Sequence, residues 1–597
     1  MPLTLAWRRR LRCHPIATSL WLAGLCACST PLAPPVAQAP VPALRTAPVA
    51  EPSAVPTVPT VPAAAASSSA APLAAPPAAP YSAAVAARFP EPAVAYDTPA
   101  FEPGRSSFTS NAELQSALLA LVQEASAANG QTHVKLLGLG TSQKGVPLQA
   151  LLFTRSADAS PATLLASTRP SVLLVGQQHG DEPAGSEALL VLARRLASSP
   201  QQGLLDRINV LILPRANPDG AAARQRVTAS GIDANRDHLL LKTPEAQAQA
   251  QLVREFQPVV VVDAHEYTVV GRYLEKFGSV QRFDALVQYA MTANLPPFIS
   301  KASEEWFRRP LIASLARQGL SAEWYHTTST DLADKKISMG GTQPDTGRNV
   351  NGLKNAVSIL LETRGVGIGK LHLGRRVHTH VTAMSSLLDS AAARASDLLK
   401  LRHYVDNEVT AQACQGEAVV EAGPTLSEYA LTMLDPVTGA DKVVHVEWAS
   451  ALMLNTLKTR ARPCGYWLAA DQSDAVQRLR GLGVRVSQLS EAGVLRAETY
   501  RQTDQGTARE VGVRQDVRGS IADGGGVLRV QVELVSTLLD APLGSYYVGL
   551  DQPLANLVIA ALEPDTQNSY VANGIVSGVA AQARVLLRPE LRMTVLP

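Results

Sequence analysis

Apolar residues in the first half of the chain come in alternating blocks of two kinds. Short runs of β-branched and other apolar residues near 171–175, 208–213 and 258–263 read as strands buried on both faces. Stretches near 184–198 and 244–256 carry Leu and Ala at helical spacing. That alternation predicts an α/β sandwich around a largely parallel sheet. Ahead of it, Asn111 to Ala127 reads as a helix capped by Ser110-Asn111, and His133 to Leu137 and Pro147 to Thr154 read as strands around a hairpin-like connection. Order is expected to begin near Phe108. Further on, Phe283 to Ala293 reads as helix, Leu295 to Asn355 as irregular, Ala356 to Leu361 as a buried strand ending at Glu362, and Val381 to Tyr404 as helix. Beyond Asn407 the pattern changes to short strands, at Val444 to Glu447, Val484 to Val486, Val527 to Leu534 and Tyr546 to Leu550, which predicts a separate, smaller α/β or β-rich domain.

Chemistry-bearing residues gather where the strands end. The stretch SVLLVGQQHGDEPAGSE at 171–187 is a strand, a glycine break, and then His179-Gly-Asp-Glu182 opening a helix, with Pro183 in its first turn. A His and a Glu this close in sequence can aim at one ion. Zinc accepts both donor types and, in catalytic sites, keeps a position for water. His265 closes the next buried run in VVVDAHE, 83 residues after Glu182 (265 − 182), and supplies a third ligand from another strand end. Glu362 ends a later strand in LLETRG, where a carboxylate can serve as a base without binding metal; a structural pair with Arg364 is the alternative. Between these lie NPDG at 217–220, Arg226, and GIDANRD at 231–237.

In order and wording this set resembles the zinc metallocarboxypeptidase family over roughly residues 106 to 375. The resemblance implies a three-layer sandwich with a mixed, largely parallel twisted sheet. It implies one zinc per chain on His179, Glu182 and His265, with Glu362 as general base. Asp233 then accepts a hydrogen bond from the first ligand histidine, Asn235 and Arg236 hold the substrate's terminal carboxylate, and Arg226 stabilises the oxyanion, with Arg224 as the other candidate. Three departures stand out: Asp181 replaces an arginine, Glu266 a small residue, and the lid tyrosine is either Tyr325 or Tyr267. His326, His378 and His380 read as ordinary surface or core histidines. The implied activity is hydrolysis of the C-terminal bond of a peptide, a cell-wall peptide being one candidate. Two rivals remain open at this point. One is an amidohydrolase of small N-acyl amino acids, similar to the aspartoacylase and succinylglutamate desuccinylase branch, which shares HGxE and a short gap; the other is a binding protein that kept the fold and lost the chemistry.

Charge and cysteine usage add location and partners. A formal net charge of +3, with no Lys/Arg block beyond the first dozen residues, argues against a nucleic-acid partner. Residues 1–27 read as a secretory signal: Arg8-Arg9-Arg10 and Arg12, an apolar run from Ile16 to Leu25, then Leu25-Cys26-Ala27-Cys28. The last four residues resemble a lipobox, so Cys28 becomes a lipid anchor and the only membrane attachment; ordinary cleavage and free secretion is the alternative. The expectation is an exported protein, periplasmic or a membrane-anchored lipoprotein. Residues 28–105 are rich in Pro and Ala and read as a disordered linker, 106–406 as the catalytic domain and 407–597 as the C-terminal domain. Cys414 and Cys464 permit one disulfide or stand as two buried thiols.

Overall fold

The computed structural model describes residues 80–127, 131–198, 200–329, 331–507 and 528–597, so the signal, Cys28 and the linker up to residue 79 lie outside the described residues. The first strands are β1 (His133–Thr141), β2 (Pro147–Thr154), β3 (Ser171–Gly176), β4 (Asn209–Leu213), β5 (Val260–Thr268), β6 (Ala285–Tyr289), β7 (Ala322–Trp324), β8 (Ile337–Ser338) and β9 (Val357–Val366). All but β8 form one sheet, in the order β1-β2-β4-β3-β5-β9-β6-β7. Its centre, β4-β3-β5-β9, is parallel, while β1, β2 and β6 pair antiparallel.

Period-two alternation gives the sheet two apolar faces. Val172, Leu174, Val260, Val262, Ile359 and Leu361 pack with the helices Asn111–Ala127, Ala184–Ser198 and Leu373–Ala393. Leu173, Val175, Leu211 and Val261 point the other way, onto Leu252 and Phe256 of the helix Pro244–Phe256. Helices on both faces make three layers, and the carboxyl ends of β3, β5 and β9 are left to build a site.

Several expectations are corrected. Phe283 to Ala293 holds β6 instead of a helix: Ala285 and Val287 join one face of the sheet and Leu286 the other, an alternation that pairing with β9 rewards. The expected irregular stretch contains the helix Pro297–Ala302, a π turn Ser303–Arg308 and the helix Arg309–Arg317. The π turn spaces Ala302 and Phe307 five residues apart on one buried stripe, which masks the helical period in the sequence. The predicted helix Val381 to Tyr404 is two helices, Leu373–Ala393 and Ala395–Ala411, broken at Arg394.

Residues 80–105 are packed, not linker. Val85 and Phe89 are buried, the guanidinium of Arg364 lies 3.4 Å over the Phe89 ring, and Lys370 donates to the carbonyls of Ala100 and Arg105, both at 2.7 Å. A few aromatic anchors, Tyr81, Phe89 and Tyr96, supply the burial that the average composition of 28–105 lacks.

The C-terminal region is not a separate body, because everything from Pro80 onward belongs to one compact unit. A long hairpin of β10 (Glu417–Leu434) and β11 (Asp441–Ala461) adds to β8. A third sheet follows from β12 (Gly465–Leu468), β13 (Ser487–Leu489), β14 (Gly493–Thr507), β15 (Leu528–Ala541), β16 (Tyr546–Gly549), β17 (Gln582–Val585) and β18 (Met593–Val595). Of the short strands expected here, Val444 to Glu447 lies inside β11 and Tyr546 to Leu550 corresponds to β16, whereas Val484 to Val486 only leads into β13; Val527 lies outside the described residues. Leu239, Leu241, Ile299 and Val350 share one core with Tyr466, Leu479, Val558 and Tyr570. A disulfide joins Cys414 to Cys464, closing the chain across 50 residues. Asn568 of this region donates to Asp345 at 2.7 Å, so the C-terminal part braces a loop that reaches the site.

Candidate active site

The loop after β3 is shaped by close backbone contact. Gln177 takes the left-handed conformation at φ 49°, and a Cβ on Gly180 would sit 1.9 Å from the carbonyl carbon of Gly220. Only glycine fits there. Asn217 of NPDG locks the same contact: its Oδ1 accepts from Gly220 N at 2.9 Å, while its backbone N–H and its Nδ2 donate to the carbonyls of Gln177 and Gln178, both at 3.1 Å. The two loops therefore hold each other, and His179 and Glu182 emerge from the result. His265 comes directly from β5, in register with Glu362 on β9.

Three donors converge. Glu182 lies 2.8 Å from Nδ1 of His179 through one carboxylate oxygen and 2.8 Å from Nδ1 of His265 through the other, and the two Nδ1 atoms are 3.0 Å apart. The outer nitrogens are also taken: Nε2 of His179 meets Asp233 at 3.1 Å, and Nε2 of His265 meets Asp263 at 2.9 Å. With each Nε2–H donated outward to a carboxylate, both Nδ1 atoms present lone pairs to each other and to the Glu182 carboxylate. A cation resolves that repulsion. Two imidazoles and one carboxylate, all buried and with donor atoms within 4.8 Å of one another, fit a zinc ion with room left for water, and the outer carboxylates are the usual means of orienting such ligands.

Each predicted partner can now be located. Arg226 donates through Nε and Nη2 to one oxygen of Asp233, at 3.1 and 3.0 Å, and its Nη1 reaches Glu182 at 3.3 Å. Burial opposes its charge, but Asp233 and Glu182 outweigh that and raise its pKa. Arg224 is exposed at the end of the helix Pro218–Ala223 and lies away from the cavity, which leaves Arg226 as the arginine at the site. Asn235 is more committed than the sequence suggests: its amide nitrogen lies 3.1 Å from Nε2 of His265, and its Oδ1 accepts from Gly347 N at 2.8 Å. Arg236 donates to the Asn235 carbonyl at 2.7 Å and has no carboxylate at ion-pair distance among the described residues. Burial raises the Glu362 pKa to about 7, and the neighbouring Glu182 charge adds to the rise.

The departures acquire structural accounts. Glu266 forms a fully buried ion pair with Arg376 at 2.7 Å, accepts from Ala184 N at 2.9 Å, and through its own N–H donates to Glu182 at 3.0 Å. It thereby ties the Glu182 helix to β5. Asp181 lines the cavity with one carboxylate oxygen lacking a partner, and burial raises its pKa. Tyr267 and Tyr325 both line the cavity, but Tyr267 spends its hydroxyl on the Phe283 carbonyl. Of the three other histidines, His326 also reaches the cavity wall but is held by the Trp324 carbonyl and Gln281; His378 pairs with Tyr96 and His380 with Thr363. The cavity, about 1000 Å³, is lined by His179, Arg226, Asn235, Arg236, Tyr325 and Glu362 among others.

Sequence reasoning missed Asp263 and Arg348. For Asp263 a signal existed, because it precedes His265 by two in a strand and so shares its face.

Fold and site together define a zinc hydrolase of the α/β class. Residues 120–365 match the Peptidase_M14 family model, described as zinc carboxypeptidase. Carboxypeptidase 2 of Trichophyton rubrum is 28% identical over 429 residues, covering 70% of this chain and 77% of that one, so the likeness runs past the family segment into flanking residues. Human carboxypeptidase D is 31% identical over 207 residues, 27% of this chain and 15% of that one. Among solved structures, a metallo-carboxypeptidase from Burkholderia cenocepacia matches 47% of this chain and 68% of its own at 17% identity and a TM-score of 0.34, too low to carry any residue across. The likeness to the zinc carboxypeptidase family model is thus carried by residues 120–365, less than half of the chain.

Purified protein is expected to bind about one zinc per chain, and His265→Ala to lose most of it. Asp263→Asn should weaken zinc binding by roughly 10- to 100-fold through loss of ligand orientation. Competition against a chromophoric chelator measures both, and an unchanged affinity in Asp263→Asn would contradict the assigned role.

Proposed function

We propose that this carboxypeptidase works with Glu362 as its general base and with Arg236 as its grip on the free carboxylate of a peptide. The observation that carries this reading is the register pairing of His265 with Glu362, which sets a carboxylate beside the donor set but outside it, in a cavity that also holds Arg236, which has no carboxylate at ion-pair distance among the described residues. Zinc, when bound by His179, Glu182 and His265, supplies Lewis acidity that acidifies water and polarises a carbonyl.

The remaining work belongs to the chain. Glu362 takes a proton from the attacking water and returns it to the departing amine, a double use suited to a carboxyl whose pKa lies near neutrality. Arg226, fixed by Asp233, presents its guanidinium where negative charge develops on the carbonyl oxygen. Asn235 is committed through its Oδ1 to the Gly347 backbone and packed beside His265, so the terminal carboxylate falls first to Arg236. Tyr325 is the lid tyrosine of this reading.

Peptide is the substrate class, and a cell-wall peptide is the candidate that export favours. The Cys414–Cys464 disulfide supports an oxidising compartment. With the signal-like residues 1–27, it supports our reading of an exported protein, periplasmic or lipid-anchored through Cys28. Intact mass of native protein should begin at Cys28 with added acyl mass; an unprocessed N-terminus would refute the assignment.

Glu362→Gln keeps shape and removes the base, so turnover should fall on the order of 100-fold or more while zinc content persists. A base works only when deprotonated. The wild-type rate should therefore be lost as pH falls through the Glu362 pKa, with the acid limb at or below pH 7, and that limb should vanish in Glu362→Gln. A near-normal rate in this variant would move the base elsewhere.

A further inference from the structure

Arg348 sits in the helix Gly347–Leu353 on the wall of the catalytic cavity and is 4% exposed. Its Nη2 donates to the Gly341 carbonyl at 2.8 Å, its guanidinium lies 5.7 Å from the Tyr325 ring centre, and its Nε has no hydrogen-bond partner. No carboxylate lies at ion-pair distance among the described residues. Three other buried arginines are compensated, Arg376 by Glu266, Arg460 by Glu563 and Asp565, and Arg584 by Glu563, while Arg215, away from the cavity, gives its donors to the neutral oxygens of Gln177, Asn111 and Thr109. Arg364, stacked on Phe89, lacks a carboxylate as well but does not line the cavity. A buried guanidinium facing a cavity with an unused donor is costly unless a ligand supplies the negative charge.

The segment that carries it is fixed from several sides. Asn568 donates to Asp345, Gly347 N donates to Asn235, and Asn349 donates to the Gln343 carbonyl at 2.7 Å. The fork of Arg348 is thus held in place before substrate arrives, which suits a planar carboxylate. Arg236, in the same cavity, likewise has no carboxylate at ion-pair distance among the described residues. Two such cations match a last residue that carries two carboxylates.

We propose that Arg348 pairs with the side-chain carboxylate of the residue being released, so that the enzyme prefers peptides ending in glutamate or aspartate. This deepens the carboxypeptidase reading and rests on it. Arg236 takes the terminal carboxylate and Arg348 the side chain. The size of the preference follows from a charged hydrogen bond in a water-poor pocket, about ten- to a hundred-fold.

The test uses the whole zinc-loaded enzyme and N-acyl dipeptides that differ only in their last residue: Glu, Gln, Leu or Lys. Wild type should show kcat/KM for Glu about ten- to a hundred-fold above Gln, the uncharged isostere, and Lys lowest. Arg348→Gln should collapse the Glu-to-Gln ratio towards one, and Arg348→Glu should reverse the order of Glu and Lys, a change that misfolding does not produce. Zinc content confirms that the variants are intact. Equal use of Glu and Gln by wild type, preference for Leu or Lys, or an Arg348→Gln variant that slows all four substrates alike would overturn the acidic specificity and leave the carboxypeptidase reading standing. Release of no C-terminal residue from any substrate would overturn both.

Discussion

Everything at the site depends on three electron-pair donors being forced together. Nδ1 of His179, Nδ1 of His265 and the Glu182 carboxylate lie within hydrogen-bond distance of one another in a buried place, with the far side of each imidazole already committed to a carboxylate. Left to themselves such donors repel. The scaffold holds them by means that have nothing to do with metal: the Gly180–Gly220 backbone contact, the Asn217 clasp, and the strand geometry of β5. Folding stability elsewhere is spent on a constellation that a cation completes.

The same constraint orders the surroundings. A buried cation site needs a graded set of charges, and the chain supplies it in layers: Asp233 and Asp263 behind the histidines, Arg226 across Asp233, the Glu266–Arg376 pair beneath. Beyond these, the cavity wall carries Arg236 and Arg348, neither with a carboxylate at ion-pair distance among the described residues. The C-terminal region takes part through Asn568 and the shared core around Leu239 and Tyr570, so substrate-facing loops are braced by a residue 223 positions downstream.

Strand ends and their chemistry were legible because both signals are local. A buried apolar run followed by His-x-x-Glu, or ending in His or Glu, states its geometry within ten residues. Long-range facts were hidden. The β6 segment reads equally well as helix or strand until β9 offers it a partner, and the π turn at Ser303–Arg308 breaks the period by which its helices would be found. Residues 80–105 look like linker because three aromatic anchors are diluted among Pro and Ala. Arg348 was invisible for a different reason: what marks it is the lack of a carboxylate partner, and no sequence states an absence in space. Asp263 was legible by strand periodicity and was passed over.

The central claim is that the site measures a free chain end. Digestion of a mixed peptide library by the zinc-loaded enzyme, with products identified by mass spectrometry, tests it most directly. The expected pattern is release of single residues from free C-termini, with amidated counterparts cleaved about ten- to a hundred-fold more slowly because Arg236 loses its charged partner. Internal cuts, or equal cleavage of free-acid and amide forms, would contradict it.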